Sequence, residues 1–86
     1  MENLKSLFEA AKKDVEMLTE RPSNETLLLL YALYKQATEG DNNNDEPQNP
    51  FDFVAKAKYE AWISHKGKST DQAMQEYIDR VDRLRA

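Results

Sequence analysis

Tyr31, Tyr34 and Lys35 fall in the run Tyr31-Ala32-Leu33-Tyr34-Lys35-Gln36-Ala37-Thr38, which Gly40-Asp41 follows at once. Residues three and four apart are neighbours on a helix, so this spacing predicts two phenol rings and an ammonium on one side of it. Phenols stack on flat heteroaromatic rings and an ammonium holds a phosphate, which together make a grip for a nucleotide. Each residue also has an ordinary reading. Tyrosines more often fill half-buried places in a bundle, and lysines such as Lys35 and Lys58 are most often solvated surface charges.

Other site chemistry is poorly represented. The chain has no cysteine, so disulfides and thiolate metal sites are excluded. His65 is the only histidine, falls in the last turn of a predicted helix, and has no serine and aspartate pattern around it that would support nucleophilic catalysis. Asp41, Asp45 and Glu46 lack the spacing of a calcium loop. No metal and no cofactor is expected.

The elements that must position the tyrosines and lysines are helices. Leu4, Leu7, Phe8, Ala11, Val15 and Leu18 share one arc of a helical wheel, and Pro22 predicts that this first helix stops near Thr19 or Glu20. Ser23 is a good N-cap for a second helix running to about Glu39, with Leu29, Leu30, Leu33 and Ala37 as its core arc. Leu27, Tyr31, Tyr34, Lys35 and Thr38 occupy the adjoining sector. Gly40-Asp41 supplies a stop, and the segment from Asp41 to about Asp52, with its asparagines and Pro47 and Pro50, reads as an irregular surface loop. Asp52 caps a third predicted helix that ends near Gly67, on which Ala55, Lys58, Tyr59 and Trp62 share a face. Ser69-Thr70-Asp71-Gln72 forms a capping box for a fourth, with Ala73, Met74, Tyr77, Ile78, Val81 and Leu84 as its apolar stripe. Trp62 and Tyr59 are expected in the core, and Tyr77 is expected to serve both core and groove.

These elements make one all-α domain, a bundle of about four helices, and 86 residues suffice for one hydrophobic core and one binding surface. A formal charge of -4 disfavours nucleic acid, which requires many cations to displace counterions, so a helix-turn-helix reader is a distant reading. Met1 to Phe8 interrupts its apolar residues with charge, unlike a secretory signal, and no segment approaches the roughly 20 apolar residues that cross a bilayer. The expected location is soluble, inside the cell and cytoplasmic.

Three ordered blocks resemble the acyl-CoA-binding protein family over almost the whole chain. Tyr31 to Asp41 is similar to that family's Y-x-x-Y-K-Q-A-T-x-G-D signature. Lys56-Ala57-Lys58-Tyr59-Glu60-Ala61-Trp62 resembles its K-A-K-W-x-A-W pattern with tyrosine for the first tryptophan, and Lys66-Gly67, Ser69, Ala73-Met74 and Tyr77-Ile78 follow at matching separations. The resemblance implies a four-helix bundle of up-down-down-up topology spanning residues 1–86. It implies a non-catalytic carrier of long-chain acyl-CoA, in which Tyr31, Lys35 and Lys58 hold the adenosine and its 3′-phosphate. Tyr77 would lie against the ligand, Tyr34 would join the same grip, and Leu27 and Leu28 would line the acyl-chain groove. The implied carrier is a monomer that meets acyl-CoA-using enzymes or membranes transiently. Glu16 and Val54 depart from the pattern, standing where many relatives have lysines, and Glu46-Pro47-Gln48 lacks the usual basic residue before the proline and glycine after it. The missing lysines at Glu16 and Val54 favour one competing reading, a small helical protein-interaction module that kept the fold but lost the ligand.

Overall fold

The computed structural model describes residues 3–86, so Met1 and Glu2, which begin the stretch read as lacking a secretory signal, lie outside the described residues. Four helices form, α1 (Leu4–Glu16), α2 (Asn24–Glu39), α3 (Phe53–Ile63) and α4 (Thr70–Arg85), and among the described residues there are no strands. No helix of the described residues is long and apolar enough to cross a membrane.

The predicted caps start α2, α3 and α4. Ser23 Oγ accepts from Thr26 N at 3.1 Å, Asp52 Oδ1 from Ala55 N at 3.0 Å, and Ser69 Oγ from Gln72 N at 3.1 Å, each occupying a backbone donor that the first turn leaves free. Two helix ends come earlier than their sequence predicts. α1 gives way at Met17 to hydrogen bonds spanning three residues, Met17 N to Asp14 O and Leu18 N to Val15 O, which tighten the backbone before Pro22 can act. α3 does the same after Ile63, where the His65 and Lys66 amides bond three residues back and the chain turns at Gly67 (φ +90°). His65 therefore lies beyond the helix, not in its last turn.

The contacts fix the topology. Asp14 and Arg85 pair at 2.9 Å near the C-terminal ends of α1 and α4, so these two run parallel. Gln36, near the end of α2, bonds the Lys68 carbonyl just before α4 starts, so α2 and α4 are antiparallel. Phe53 and Ala57 line one groove with Leu27 and Tyr31 while Trp62 bonds Gly40, so α3 runs parallel to α2. The result is up-down-down-up, and the loop from residue 40 to 52 carries the chain back along α2.

α2 packs against both α3 and α4, whereas α1 packs against α4. The core joins Phe8 and Ala11, Leu30, Leu33 and Ala37, and Ala73, Tyr77 and Val81. Because α1 is covered chiefly from one side, only a narrow stripe of it is buried, and Leu7 from its predicted face remains exposed. Ala32 and Gln36 are fully buried, an outcome of α2 being flanked twice.

A polar knot locks the end of α2. Asp41 Oδ1 accepts from Gln36 Nε2 and from Gly67 N, both at 2.8 Å, and the Gly40 carbonyl accepts from Trp62 Nε1 at 2.9 Å. The two N–H donors, Gly67 first and Gln36 second, hold the Asp41 carboxyl below its ordinary value. Gly40 itself stands at φ +81°, ψ −151°, a region open essentially to glycine alone.

A Cβ at Gly40 would meet nothing within 4 Å, so any penalty there is backbone strain. Gly40→Ala is expected to lower unfolding free energy by about 1–3 kcal/mol, read from urea denaturation followed by circular dichroism. The Asp41 contribution has a defined sign: a depressed carboxyl stabilises above its unfolded value and ceases to do so as pH falls through the folded one. Asp41→Asn should therefore flatten the acid limb of the stability profile relative to the parent.

Candidate functional site

Tyr31 and Lys35 sit one turn apart on α2, and Lys58 and Trp62 one turn apart on α3. With the two helices parallel, each lysine reaches the aromatic ring of the other helix: Lys58 Nζ lies 5.2 Å from the Tyr31 centroid and Lys35 Nζ 5.4 Å from that of Trp62. Lys35 also stands 6.0 Å from Tyr31. Each ammonium thus faces a negative ring face, within the range at which cation–π attraction operates. Trp62, assigned to the core from its sequence, is indeed buried, yet its ring also supports this cluster. Tyr59 is half-buried beside it, in a small depression shared with Asn42 and Pro47.

Lys35 is committed to an ion pair with Glu39 at 2.6 Å, and that hydrogen bond is the main cause holding its ammonium above the ordinary lysine value. The described ion pairs are Lys35–Glu39, Lys68–Glu76 and Arg85–Asp14, so Lys58 has no carboxylate partner among the described residues. An incoming anion at Tyr31 meets one free cation and one that it must share.

An apolar groove of about 450 Å³ adjoins this cluster, walled by Leu27, Leu28 and Tyr31 from α2 and by Phe53, Val54 and Ala57 from α3, with Lys58 at one edge. Both leucines proposed from the sequence line it. Phe53 and Val54 are largely exposed, and Phe51 beyond them is 80% exposed.

Tyr34 leans toward α1. A three-residue step turns a helix 60° short of a full revolution, and in this bundle that angle separates the flank facing α3 from the flank facing α1. The Tyr34 ring stacks on Phe8 at 5.7 Å and carries Lys12 Nζ at 4.5 Å from its centroid, with Lys12 donating to Tyr34 Oη at 3.2 Å. The two tyrosines are neighbours on α2 and both act on Lys35, but Tyr31 meets a lysine of α3 and Tyr34 meets Phe8 and Lys12 of α1. Lys12 was missed entirely, since nothing in the wheel of α1 says which residue of α2 it meets.

Tyr77 is 4% exposed, edge-on to Phe8 at 5.1 Å and tilted toward Tyr34 at 6.5 Å. Its core role is present, and its ring packs against Phe8 of α1 and Tyr34 of α2. Burial, with lesser contributions from Tyr34 and Glu16, pushes its phenol up to about 12. Buried Gln36 and Asn42 also escaped sequence reading, because a polar residue at a buried position looks the same in a sequence as an exposed one.

Comparison with known proteins places the architecture. The sequence profile of the acyl CoA binding protein family matches residues 5–81. The chain is 51% identical over 77 residues to the acyl-CoA-binding protein homolog of Drosophila melanogaster, covering 90% of this chain and 88% of that one. It is 50% identical over 78 residues to the acyl-CoA-binding protein of Saccharomyces cerevisiae, covering 91% and 88%. Among solved structures, the crystal structure of Oryza sativa Acyl-CoA-Binding Protein 2 superposes with a TM-score of 0.89 at 39% identity, over 95% of this chain and 90% of that one. The chain belongs to the acyl-CoA-binding protein family.

The placement of Tyr77 carries its own test. A raised phenol value means that Tyr77 favours the folded state below about pH 10 and loses that contribution as pH rises through about 12. Ultraviolet titration of the four tyrosines should show one late step that Tyr77→Phe removes.

Proposed function

We propose that this chain is a non-catalytic carrier of long-chain acyl-CoA esters. The observation that carries this reading is the junction of the Tyr31–Lys35–Lys58–Trp62 cluster with the apolar groove walled by Leu27 and Leu28. A coenzyme A ester has a flat adenine, phosphates and an apolar tail. Lys35 and Lys58 converge on the Tyr31 ring and take the 3′-phosphate of the adenosine, while the tail lies along the groove between α2 and α3. Family membership and the names of the fly, yeast and rice proteins support the same ligand class.

The two parts of the ligand contribute differently. Burial of a methylene stabilises by about 0.8 kcal/mol, so a sixteen-carbon tail supplies on the order of 10 kcal/mol before the costs of association. A charge-assisted phosphate contact supplies roughly 1.5–3 kcal/mol. The tail therefore sets affinity and the head group sets identity. Shielding the tail is the work of a carrier, one that acts as a cytoplasmic monomer and passes its ligand to enzymes or membranes.

The competing reading is an interaction module without ligand, favoured by the Glu39 carboxylate on Lys35 and by Glu16 on the α1 flank. Native mass spectrometry with palmitoyl-CoA separates the two, since a one-to-one adduct is expected of the carrier and none at micromolar concentration of the module.

Lys35→Ala and Tyr31→Ala are each expected to weaken palmitoyl-CoA binding with little loss of helicity, as followed by calorimetric titration and circular dichroism. If both bind as the parent does, the grip is elsewhere. Glu39→Gln should act oppositely, tightening binding by up to about fivefold, because it frees Lys35 from an exposed pair worth at most about 1 kcal/mol.

A further inference from the structure

The groove between α2 and α3 carries a cation at each end. Lys58 stands at the end beside Tyr31, and Arg21 stands with Asn24 at the end where the two parallel helices begin. Leu27, Leu28, Phe53, Val54 and Ala57 make the wall between them apolar. A phosphate explains Lys58. It does not explain an arginine at the far end of a channel for hydrocarbon.

Arg21 is oriented without being neutralised. Its Nη1 donates to Asn24 Oδ1 at 3.1 Å, and the other N–H donors of its fork remain open. It forms no ion pair among the described residues, although Glu20 and Glu25 lie close in sequence. Pro22 biases Arg21 toward extended backbone, and α2 starts at Asn24, so the positive end of that helix dipole adds to the guanidinium charge. Arg21 is exposed, so the groove opens to water at this end. Asn24 and Tyr31 lie about 10 Å apart along α2, which sets the spacing of the two cations.

Resting on the carrier reading, we propose that Arg21 is a specificity-determining residue for the far end of the tail, and that the groove takes acyl-CoA esters whose tail ends in a carboxylate as well as those that end in a methyl group. With the head group at Lys58, the tail runs toward the starts of α2 and α3 and its terminus arrives at Arg21. A methyl terminus gains nothing from a guanidinium. A carboxylate terminus is costly in an apolar groove unless it is paired, and the planar fork of arginine receives it in two parallel hydrogen bonds. Each end of the groove then holds one anion of the same ligand, a mono-CoA ester of a dicarboxylic acid.

Calorimetric titration of the parent, Arg21→Ala, Arg21→Gln, Arg21→Lys and Lys58→Ala with dodecanoyl-CoA and dodecanedioyl-CoA tests this, with circular dichroism to follow helicity. Arg21→Ala and Arg21→Gln should weaken dodecanedioyl-CoA by roughly three- to tenfold at low salt, the range of one partly exposed charge-assisted contact, and leave dodecanoyl-CoA near the parent. The loss should shrink as salt rises, and Arg21→Lys should keep part of the affinity, since an ammonium holds a carboxylate only as a point charge. Lys58→Ala should weaken both esters alike, because both carry the 3′-phosphate. Equal losses for the two esters in Arg21→Gln overturn the proposal, for they mark a structural role or a contact with the head group. So does parental affinity for both esters in Arg21→Ala and Arg21→Gln, or a parent that binds dodecanoyl-CoA and rejects dodecanedioyl-CoA. A parent that binds neither ester removes the carrier reading, and the assignment of Arg21 with it.

Discussion

The turn at Gly40-Asp41 is the constraint on which the rest of the molecule depends. Its carbonyl receives Trp62 from α3, and its carboxylate receives Gln36 from α2 and the Gly67 amide from the segment before α4. Three elements distant in sequence are thus tied at one point. The Lys68 carbonyl accepts the second N–H of Gln36 at 2.9 Å, so the start of α4 is held there too. Buried polar groups are costly unless paired, and satisfied ones specify a single arrangement. Gln36 Oε1 has no partner, which leaves this knot less than fully satisfied.

From that point the site follows by helical arithmetic. Fixing Trp62 beside Gly40 sets the register of α3 on α2. One turn back along each helix, Lys58 then comes over Tyr31, and Lys35 falls over Trp62. Parallel direction is essential to this exchange. Were α3 reversed, Lys58 would face Lys35 and the two rings would face each other, bringing like charges together. The long loop from residue 40 to 52 is what allows the parallel arrangement, since a short connection yields antiparallel neighbours. The apparently featureless loop therefore has a positional role, and Asn42, buried within it, bonds Asn44 and contacts the Tyr59 carbonyl at 3.4 Å.

Sequence patterns disclosed what is local. Ser23, Asp52 and Ser69 cap their helices because an N-cap needs only a side-chain oxygen and the next few amides. The ends of α1 and α3 were less legible, because Met17 and Ser64 lie where bonds shorten from four residues to three without a glycine or proline to mark it. Tyr31, Lys35 and Lys58 could be singled out from their motifs, but Lys12 could not. A wheel assigns each side chain a direction on its own helix and says nothing of the neighbour on that side. For the same reason the grouping of Tyr34 with Tyr31 did not reveal that Tyr34 also stacks on Phe8 of α1.

The electrostatics around α2 follow from how the cations on it and beside it are held. An acidic chain needs local positive potential to attract an anion, and lysines paired with carboxylates provide little of it. Lys12 and Lys58 rest on phenol rings, which attract an ammonium without neutralising it. The ring is apolar enough to flank a ligand and polar enough to orient a cation, so one side chain performs both tasks. Lys35 differs, since Glu39 claims it in the free protein, and an anion there must displace or share that bond. The lysines around α2 thus differ in readiness. A lysine held only by a ring is open to any anion at first encounter, whereas an anion reaching Lys35 has to compete with Glu39 of its own helix.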